Sequence, residues 1–470
     1  MIQHEASDVV VIGGGLGGLS AALRAAQLGL RATVLERGQD ELYLCNSRFS
    51  GGILHIAQHN VLEPADQLER VILDATLGEA DLSLAKALAL DARRAVGWLA
   101  EAGTRFIKVG QIVWQQHVLA PPRPITPGLD WKGRGPDVTL RTLEAALVKL
   151  GGRLLRGTAA CGLLERDGGC VGVEAVTSDG RQLQFPARAV VLADGGFQAN
   201  LEMIGKHITA VPSRLKQRGA ATGVGDGLRM ATALGAAISP LNAFYGHMLS
   251  RDAFTNDKVW PYPQLDELGT AGIVVDGAGQ RFVDEGMGGV YVANMIARLP
   301  DPLSAWAVFD EAIWNGPGKD ARIPANPHLV RGGGTVLQAA TLTDLAAQMQ
   351  VPVERLMLTV EQYNDALAQG HNEQLQPRRT STRIAAMPVR SGPFYAVPLC
   401  AGITYTMGGI SISADARVLR ASGATIGGLY AVGATTGGLE GGSGAGYVGG
   451  LIKAATFGIR AAEDIARALR

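Results

Sequence analysis

The sequence predicts an α/β fold with a parallel β-sheet, and its first forty residues carry most of this prediction. Asp8–Ile12 is a short β-branched run, Leu19–Leu28 is an alanine- and leucine-rich helical stretch, and Ala32–Glu36 is a second apolar run. This order is typical of a βαβ unit, whose parallel strands are buried on both faces. Ala189–Asp194 and Gly428–Gly433 have the same buried-strand character. The predicted sheet therefore takes strands from both ends of the chain.

The remaining elements follow from hydrophobic periodicity and from turn residues. Apolar residues at helical spacing predict four further helices, and three short runs between residues 154 and 185 predict a small meander inserted beside the sheet. The predicted helices are Leu82–Ala102, Leu140–Leu150, Val353–Gln369 and Leu451–Leu469, and the meander strands are Leu154–Gly157, Cys170–Thr177 and Gln182–Phe185.

The middle of the chain differs in composition from its two ends. Trp, Tyr, His and Pro become frequent in Asn242–Pro263 and again in Trp306–Pro327, after which a glycine-rich pattern returns. We predict a discontinuous first domain formed by residues 1–240 and 404–470. Residues 241–403 then form an inserted domain of mixed α+β structure.

Charge and cysteine content narrow the class of protein. The 470 residues carry 43 basic and 43 acidic side chains, so no net field attracts nucleic acid or anionic lipid. Only four cysteines are present, without a C-x-x-C pair, which fits a reducing compartment. No apolar run approaches the ~20 residues that span a bilayer, and no signal peptide precedes the first predicted strand. We expect a cytoplasmic protein that acts on small molecules.

The turn between the first two predicted strands has the spacing of a dinucleotide site. Gly13 permits the tight turn, Gly15 lets the backbone approach a diphosphate, and Gly18 lets helix and strand pack closely. Free N–H groups at the helix N-terminus then face the diphosphate. Glu36, 23 residues after Gly13, ends the second strand, where a carboxylate accepts hydrogen bonds from ribose hydroxyls.

A second glycine-rich region near the C-terminus favours FAD over a nicotinamide dinucleotide. Ala431–Gly433, Thr436–Gly438 and Gly441–Gly446 precede a helix predicted to begin near Gly450. A flavin ring needs backbone donors beside its pyrimidine edge, and a helix N-terminus stabilises the anionic reduced form. A glycine-rich packing loop is the alternative interpretation of this region.

Five segments resemble one flavoprotein family along nearly the whole chain. They are Asn46–Gly52, Val191–Phe197, Gly223–Ala231, Gly279–Glu285 and Thr406–Gly409, with Thr359–Asn364 and Pro393–Ala396 also similar. On these segments the chain resembles the flavoproteins of fumarate reductase and succinate dehydrogenase, a family that includes tricarballylate dehydrogenase and 3-ketosteroid dehydrogenases. The resemblance implies a Rossmann-like FAD-binding domain built from both chain ends and an inserted α+β capping domain that closes over the flavin.

The glycine motifs and the resemblance together define the candidate cofactor-binding residues. They are Gly13, Gly15, Leu16, Gly18, Glu36, Arg37, Asn46, Ser47, Ser50, Gly51, Gly52, Ala193, Asp194, Gly195, Gly433, Ala434, Gly449, Gly450 and Leu451. Some members of this family bind FAD covalently through a histidine, and Cys45 occupies that position here. We expect FAD to be bound without a covalent link, with a cysteinyl link as the alternative.

The catalytic pattern of fumarate reductase is mostly absent. The resemblance places Gly289 where those enzymes have a proton-donating arginine, and Ala445 where they have a carboxylate-binding arginine. The T-E-x-x-R run falls at Gln264–Leu268, which contains no arginine, and Tyr405 replaces a histidine. Only His247 matches the family's substrate site. Fumarate and succinate are therefore not the predicted substrates.

Tyrosines replace the lost groups and give the candidate catalytic residues. Tyr405, Tyr291 and Tyr447 lie at or near the altered positions, and His247 completes the set. Ketosteroid dehydrogenases of this family use tyrosines to polarise a carbonyl and to remove a proton, which is chemistry that a phenol supports. A half-buried packing tyrosine with a satisfied hydroxyl is the alternative for each.

Other polar residues give weaker candidates. Arg48 and Arg251 are candidate substrate-binding residues because a guanidinium binds a carboxylate bidentately, and Arg134 is a third such candidate. Arg281 and Glu285 are expected to pair structurally. His55, His59 and His117 lack metal-ligand spacing, so no metal site is predicted.

The predicted function is an FAD-dependent oxidoreductase that acts on a CH–CH bond next to a carboxylate or carbonyl. The resemblance favours a tricarballylate-like small acid, and an enone or ketone handled by the tyrosines, as in ketosteroid dehydrogenases, is the second hypothesis. A non-redox isomerase or hydratase that uses FAD is a third. Without a haem or iron–sulfur motif of its own, the chain would exchange electrons with oxygen, a quinone or a partner protein.

Overall fold

The structure, a computed structural model, describes residues 2–3, 7–124, 126–381 and 384–470. The strands of this part of the chain are β1 Ile2–Gln3, β2 Ser7–Ile12, β3 Ala32–Leu35, β4 Phe106–Ile107, β5 Val118–Leu119, β6 Arg153–Leu155, β7 Thr158–Arg166, β8 Gly169–Thr177, β9 Gln182–Leu192, β10 Lys216–Gln217, β11 Ala243–Ser250, β12 Ile273–Val275, β13 Trp306–Asp310, β14 Leu337–Ala339, β15 Phe394–Met407, β16 Arg417–Leu419 and β17 Thr425–Ala431.

Helices cover the sheets. The α-helices are α1 Leu16–Gln27, α2 Asn46–Phe49, α3 Ala65–Ala75, α4 Leu82–Glu101, α5 Gly135–Lys149, α6 Leu201–His207, α7 Asp226–Ala233, α8 Asp266–Ala271, α9 Gly289–Ala297, α10 Glu311–Asn315, α11 Ala325–Arg331, α12 Leu342–Met349, α13 Val353–Gln369 and α14 Gly450–Leu469. None of the helices in the described ranges is both long enough and apolar enough to cross a membrane.

The larger sheet joins the two ends of the chain. Its path is β16-β17-β9-β2-β3-β6. The strands β17, β9, β2, β3 and β6 are parallel to one another, whereas β16 is antiparallel to β17. Val11 pairs with Val34 on one side and with Val191 on the other, and Tyr430 also pairs with Val191. Val9–Ile12, Val34–Leu35 and Ala189–Leu192 are apolar and buried, because both faces of the sheet are covered there. The predicted α/β fold is confirmed.

Helices α1 and α14 cross very closely on one face of this sheet. A Cβ atom at Gly458 would lie 2.6 Å from the carbonyl oxygen of Gly17. Small residues thus bring the two backbones into contact, and Arg24 adds an ion pair with Glu463 at 2.8 Å. The N-terminal ends of α1 and α14 are thereby held near each other.

A six-stranded sheet forms the second layer of the molecule. The long strand β15 pairs with β10, β11, β13 and β14, and β12 pairs with β13. Strand β15 passes through the predicted boundary at residues 403/404, and β10 lies before residue 240. The three-segment division of the chain stays a prediction.

Most predicted helices are present with shifted ends. The predicted meander is partly wrong, because Leu154 and Leu155 belong to β6, which pairs parallel with β3, and the strand that pairs with β8 opposite β9 is β7. Helix α13 has the predicted bounds, whereas α1 begins at Leu16, three residues earlier than predicted. The predicted meander strand Gln182–Phe185 is the first part of the longer β9. Proline does not break β9, because Pro186 lies where its pairing changes from antiparallel, with β8, to parallel, with β2.

Candidate active site

A cavity of about 1040 Å³ lies between the two sheets. The residues after β2, β3 and β9 line one part of it, and β11 and β15 of the second sheet line the other. Because the carboxyl ends of parallel strands meet at one sheet edge, the glycine turn, Glu36 and the segment after β9 converge there. The cavity thus connects the predicted cofactor residues with the predicted catalytic ones.

The Gly13–Gly18 turn has the geometry that a diphosphate site requires. Gly13 has φ +102°, and a Cβ atom there would lie 2.6 Å from the carbonyl oxygen of Ala193. Only glycine fits this conformation without strain. Helix α1 then starts at Leu16, whose N–H donates to Ser47 Oγ at 3.1 Å. The positive end of the helix therefore points into the cavity.

Glu36 lies in the cavity and is fixed by backbone donors. Its Oε2 accepts from the N–H of Gly14 at 2.9 Å, and its Oε1 accepts from the N–H of Gly38 at 2.7 Å. Burial raises the pKa of this carboxyl, and the two hydrogen bonds oppose the shift. Each oxygen keeps a further lone pair, so hydroxyl groups of a ribose can still donate to it.

The other predicted cofactor residues nearly all line the same cavity. Those with atoms on its surface are Gly13, Gly15, Leu16, Glu36, Arg37, Asn46, Ser47, Ser50, Gly51, Gly52, Ala193, Asp194, Gly195, Gly433, Ala434, Gly450 and Leu451. Gly18 and Gly449 do not line the cavity. The N–H of Gly449 donates to Glu440 Oε1 at 3.0 Å, so this group is not free to meet a cofactor. The residues that line the cavity fit FAD. Their assignment, with Gly13–Leu16 at its diphosphate and Ala434–Leu451 at its ring, stays a prediction.

A histidine and a tyrosine on β11 form a hydrogen-bonded array with an aspartate. His247 Nδ1 lies 2.5 Å from Asp266 Oδ2, and His247 Nε2 lies 2.9 Å from the hydroxyl of Tyr245. Asp266 also accepts from the N–H of Met248 at 2.9 Å. Burial lowers the pKa of His247, against the charge of Asp266. A neutral His247 that donates to Asp266 through Nδ1 accepts the Tyr245 proton at Nε2.

Two further tyrosines pack beside this array. The ring of Tyr245 stacks on Tyr447, with centroids 3.9 Å apart, and lies opposite Tyr405 across the β11–β15 pair. The Tyr405 hydroxyl donates to Glu440 at 3.1 Å, and Glu440 forms an ion pair with Lys453 at 2.5 Å. Burial and the charge of Glu440 raise the pKa of Tyr405 well above its usual range. Burial likewise raises the pKa of Tyr447, so both are neutral phenols at neutral pH.

The predicted catalytic residues therefore share one cavity. Tyr405, Tyr447, His247 and Tyr291 all line it, the last near the N-terminal end of α9. Gly289 and Ala445, at the positions of the lost arginines, line it as well. Whether these tyrosines act in catalysis stays a prediction.

The two predicted substrate-binding arginines lie outside the cavity lining. Arg48 is fully buried and pairs with Asp137, with its guanidinium 4.5 Å from the Tyr43 ring centroid. Arg251 lies over the Trp306 ring at 4.9 Å and donates to the carbonyl of Ala305. Neither guanidinium is placed to meet a substrate in the cavity. The Asp137 partner that holds Arg48 is 89 residues away in sequence, so the motif around Arg48 does not indicate it.

Replacing Arg48 with methionine should destabilise the fold rather than alter substrate specificity. The change removes the buried cation of Asp137 and leaves only the exposed Arg141, at 3.3 Å, as its ion-pair partner. Breaking a buried pair costs about 3–5 kcal/mol, which is the upper limit of the expected loss. We expect a lower unfolding midpoint in denaturant, with an unchanged KM for the remaining folded enzyme. The double variant Arg48→Met/Asp137→Leu should recover part of the loss. A raised KM without a change in stability would contradict this placement.

Three arginines that no sequence motif indicates line the cavity. Arg123, Arg218 and Arg322 come from widely separated segments and gather around Tyr262. Their guanidinium carbons lie 4.4 Å (Arg123) and 4.9 Å (Arg218) from the Tyr262 ring centroid. Only the fold brings these positions together.

Two other sequence predictions concern polar side chains away from the array. Arg281 and Glu285 form the expected pair, with Nη2 and Oε2 2.6 Å apart. Arg134 pairs with Asp130 at 2.6 Å. Among the residues that the structure describes, no three His, Cys, Asp or Glu side chains group as a metal site.

The family of the chain follows from comparison with known proteins. The model of the FAD binding domain family matches residues 8–446, which is nearly the whole chain. The chain belongs to the FAD binding domain family. The predicted resemblance to fumarate reductase-type flavoproteins is confirmed, and so is FAD as the cofactor.

Individual relatives of this FAD-binding family span most of the chain. A vinyl phenol reductase of Lactiplantibacillus plantarum is 26% identical over 94% of this chain and 92% of its own length. An NADH:acrylate oxidoreductase of Vibrio harveyi is 28% identical over 98% of this chain, which spans half of that protein's length. The 3-ketosteroid Δ1-dehydrogenase of Sterolibacterium denitrificans superimposes with a TM-score of 0.75, at 22% identity, covering 99% of this chain and all of that one. The predicted FAD-dependent oxidoreductase is confirmed.

An acidic side chain in the cavity of this FAD-binding protein gives a pH prediction. Burial and the charge of Asp266 raise the pKa of Glu267 from 4.5 to about 7, and its Oε2 is buried without a hydrogen-bond partner among the described residues. Between pH 4.5 and about pH 7 the Glu267 carboxyl is protonated in the folded state but ionised in the unfolded state. The free energy of unfolding therefore falls as pH rises through this range.

The variant Glu267→Gln should remove this penalty. We expect its melting temperature, relative to the wild type, to rise by a few degrees between about pH 5 and pH 8. Thermal unfolding of the two holoenzymes in matched buffers measures the difference. The exposed Glu202 serves as the control site, because Glu202→Gln should follow the wild type at each pH. Parallel pH curves for Glu267→Gln and wild type would contradict the raised pKa.

Proposed function

We propose that this chain transfers hydrogen between FAD and a carbon–carbon bond conjugated to a carbonyl or carboxylate group. The observation that carries the proposal is the Tyr245–His247–Asp266 array, which opens into the same cavity as the Gly13 turn. Saturating or forming such a bond requires one proton and one hydride. The array can supply or take the proton, and bound FAD supplies hydride transfer.

Each member of the array has a distinct part in the proton transfer. Tyr245 reaches the cavity and exchanges the proton with the substrate carbon. His247 Nε2, 2.9 Å away, receives a proton from the hydroxyl or returns it. Asp266 positions the ring and stabilises its cation, in the way that a buried carboxylate orients a catalytic histidine. Burial raises the pKa of Tyr245 to about 12, so the phenol is protonated at neutral pH before it reacts with a substrate.

The neighbouring tyrosines suit the carbonyl end of the substrate. Tyr447 is a neutral phenol that can donate to a carbonyl oxygen, whereas the Tyr405 proton is already donated to Glu440. Tyr291, further along the wall, bounds the space for the rest of the substrate. Neutral donors stabilise developing negative charge on an oxygen where the family's arginines are missing.

A tricarballylate-like small acid is the first candidate substrate. The relatives that support it include the acrylate oxidoreductase, which is named for an unsaturated acid. An enone or ketone of the ketosteroid type is the second candidate. Ala445, which lines the cavity at the position of a missing arginine and packs near Tyr405, favours it, because a small apolar side chain suits a ring system better than a second carboxylate.

A steady-state assay tests the proposed reaction. Reduced methyl viologen provides electrons, and the panel contains unsaturated acids, cyclic enones and their saturated counterparts. We expect consumption of the dye with at least one unsaturated compound and none with the saturated ones. If no unsaturated compound accepts electrons, while an unsaturated compound is isomerised or hydrated instead, the proposal is wrong and FAD has a non-redox part.

We also propose that FAD is bound without a covalent link. Cys45 lines the cavity, but burial raises the pKa of its thiol to about 11, which suppresses the nucleophilic thiolate. Acid precipitation should release all the flavin into the supernatant. Yellow colour that remains in the precipitate, and that disappears in Cys45→Ser, would contradict this.

We propose that the electrons come from a partner protein or a quinone, since the sequence contains no haem or iron–sulfur motif.

A further inference from the structure

We propose that Arg123, Arg218 and Arg322, together with Tyr262, form a subsite that binds a carboxylate group of the substrate. The inference rests on the proposed function, and it adds a defined chemical group to the substrate. The four side chains line the same cavity as the tyrosine array, and their sequence positions differ from those of the family's missing arginines.

These cations are desolvated without an acidic partner. Arg123 and Arg218 are only 6% and 8% exposed. Among the described residues, no carboxylate oxygen lies within 4 Å of the guanidinium nitrogens of Arg123, Arg218 or Arg322. A buried charge normally has a counter-charge, because removing it from water is costly. The missing counter-charge is what an anionic substrate would provide.

The guanidinium groups also keep unused donors. Arg123 Nε and Nη1 are buried with no hydrogen-bond partner among the described residues, and its Nη2 donates to the carbonyl of Gly128. Arg218 uses Nη1 on Thr404 at 3.0 Å and Nε on the Pro261 carbonyl at 3.4 Å. Arg322 Nη2 donates to the carbonyl of Arg123 at 2.7 Å. Paired N–H groups of this kind match the two oxygens of a planar carboxylate.

Tyr262 does not supply the missing charge. Burial acts to raise its pKa, but the charges of Arg218, Arg123 and Arg322 lower the net value below the usual range for tyrosine. Even if its phenol ionises, one negative charge faces three positive ones. The carboxylates elsewhere on the cavity wall do not compensate, since Asp266 is engaged with His247 and the pKa of Glu267 is raised to about 7. Asp320 forms no ion pair with these arginines within the described ranges.

The subsite is continuous with the proton array and the cofactor segment. Arg218 donates to Thr404, whose carbonyl accepts from Asn46 Nδ2 at 2.9 Å. The charge of Arg218 also acts to lower the pKa values of Tyr245 and His247, which places it within electrostatic range of both. A carboxylate held here therefore leaves the adjacent part of the same molecule near Tyr245.

Ligand binding to the oxidised holoenzyme tests the subsite without turnover. The probes are propanoate, succinate and 3-phenylpropanoate, each compared with its neutral amide, and inorganic phosphate. Binding is measured from perturbation of the flavin absorption spectrum. We expect at least one acid to bind at least tenfold more tightly than its amide. We expect Arg123→Gln and Arg218→Gln each to lower the affinity for that acid by about 10–100-fold. The affinity for the amide should change by no more than about twofold.

Two further variants keep the test interpretable. Arg123→Lys retains the positive charge but lacks the planar, paired N–H donors of a guanidinium. This variant should bind the acid with an affinity between those of wild type and Arg123→Gln. Arg251→Gln, outside the cavity, should bind like wild type. Equal binding of acids and amides, or acid binding unaffected at Arg123 and Arg218, would overturn the subsite. Phosphate bound more tightly than every acid, with the same arginine dependence, would replace the carboxylate by a phosphate group.

Failure of the subsite and failure of the proposed reaction give different results. If enones are reduced at rates that do not depend on these arginines, and acids bind no better than amides, the reaction stands and the subsite is wrong. If acids bind in an arginine-dependent way but no unsaturated compound accepts electrons, the subsite stands and the reaction is wrong.

Discussion

The variant Gly13→Ala is expected to purify without FAD. Its Cβ atom would lie 2.6 Å from the Ala193 carbonyl oxygen, and alanine does not adopt φ +102° without strain of about 1–3 kcal/mol. The turn and the segment after β9 must then move apart, which displaces the N–H groups at the start of α1. We expect no bound flavin after gel filtration, measured as the ratio of visible to ultraviolet absorbance.

A matched substitution separates this local effect from a general glycine effect. Gly97 lies inside helix α4, and no atom of another segment lies within 4 Å of the place that an added methyl group would take. Gly97→Ala should therefore retain full FAD and gain slight stability. Circular dichroism checks that Gly13→Ala keeps its secondary structure. Stoichiometric FAD in folded Gly13→Ala would show that the turn is not the diphosphate site.

The variant Tyr245→Phe should lose activity by about 10²–10⁴-fold in kcat, the usual range for removing a general acid or base. Phenylalanine keeps the stack on Tyr447, so the substrate should bind with little change in KM. Asp266→Asn should lower kcat by a smaller factor, because His247 remains but loses the carboxylate that orients it. Steady-state kinetics over a range of pH measure both variants.

The control for this loss is a tyrosine of the same sheet that lies outside the cavity. Tyr395 on β15 stacks with Phe309 and Trp314, and Tyr395→Phe should match the wild type. A Tyr245→Phe enzyme with wild-type kcat would assign the proton to another group. Glu267, whose pKa is about 7, would then be the first to examine.

The cofactor half of the site can be predicted because its determinants are local in sequence. Strand, glycine turn and helix follow one another within residues 8–28, and Glu36 directly follows the next strand, so spacing alone predicts the geometry. The predicted start of α1 is three residues late because the glycines at the turn obscure the first helical residues. Gly449, a predicted cofactor residue, has its N–H bound to Glu440, a contact that spacing does not reveal.

The substrate half depends on contacts between distant residues. Tyr245 and His247 are two residues apart on one strand, and that alternation is a usable signal that both face one side. Their partner Asp266 begins a helix beyond a long loop, and Arg123 and Arg322 come from loops with no recognisable pattern. The sequence likewise points to Arg48 through its neighbours, whereas in the structure its charge is paired with Asp137.

A single turnover under anaerobic conditions tests most directly whether the flavin and Tyr245 act on an unsaturated substrate. The holoenzyme is reduced, mixed rapidly with an unsaturated acid, and followed by flavin absorbance. We expect the oxidised spectrum to return at least as fast as kcat, with the saturated acid as product, and to return more slowly in Tyr245→Phe. A flavin that stays reduced with every unsaturated acid and enone would contradict the proposed reaction.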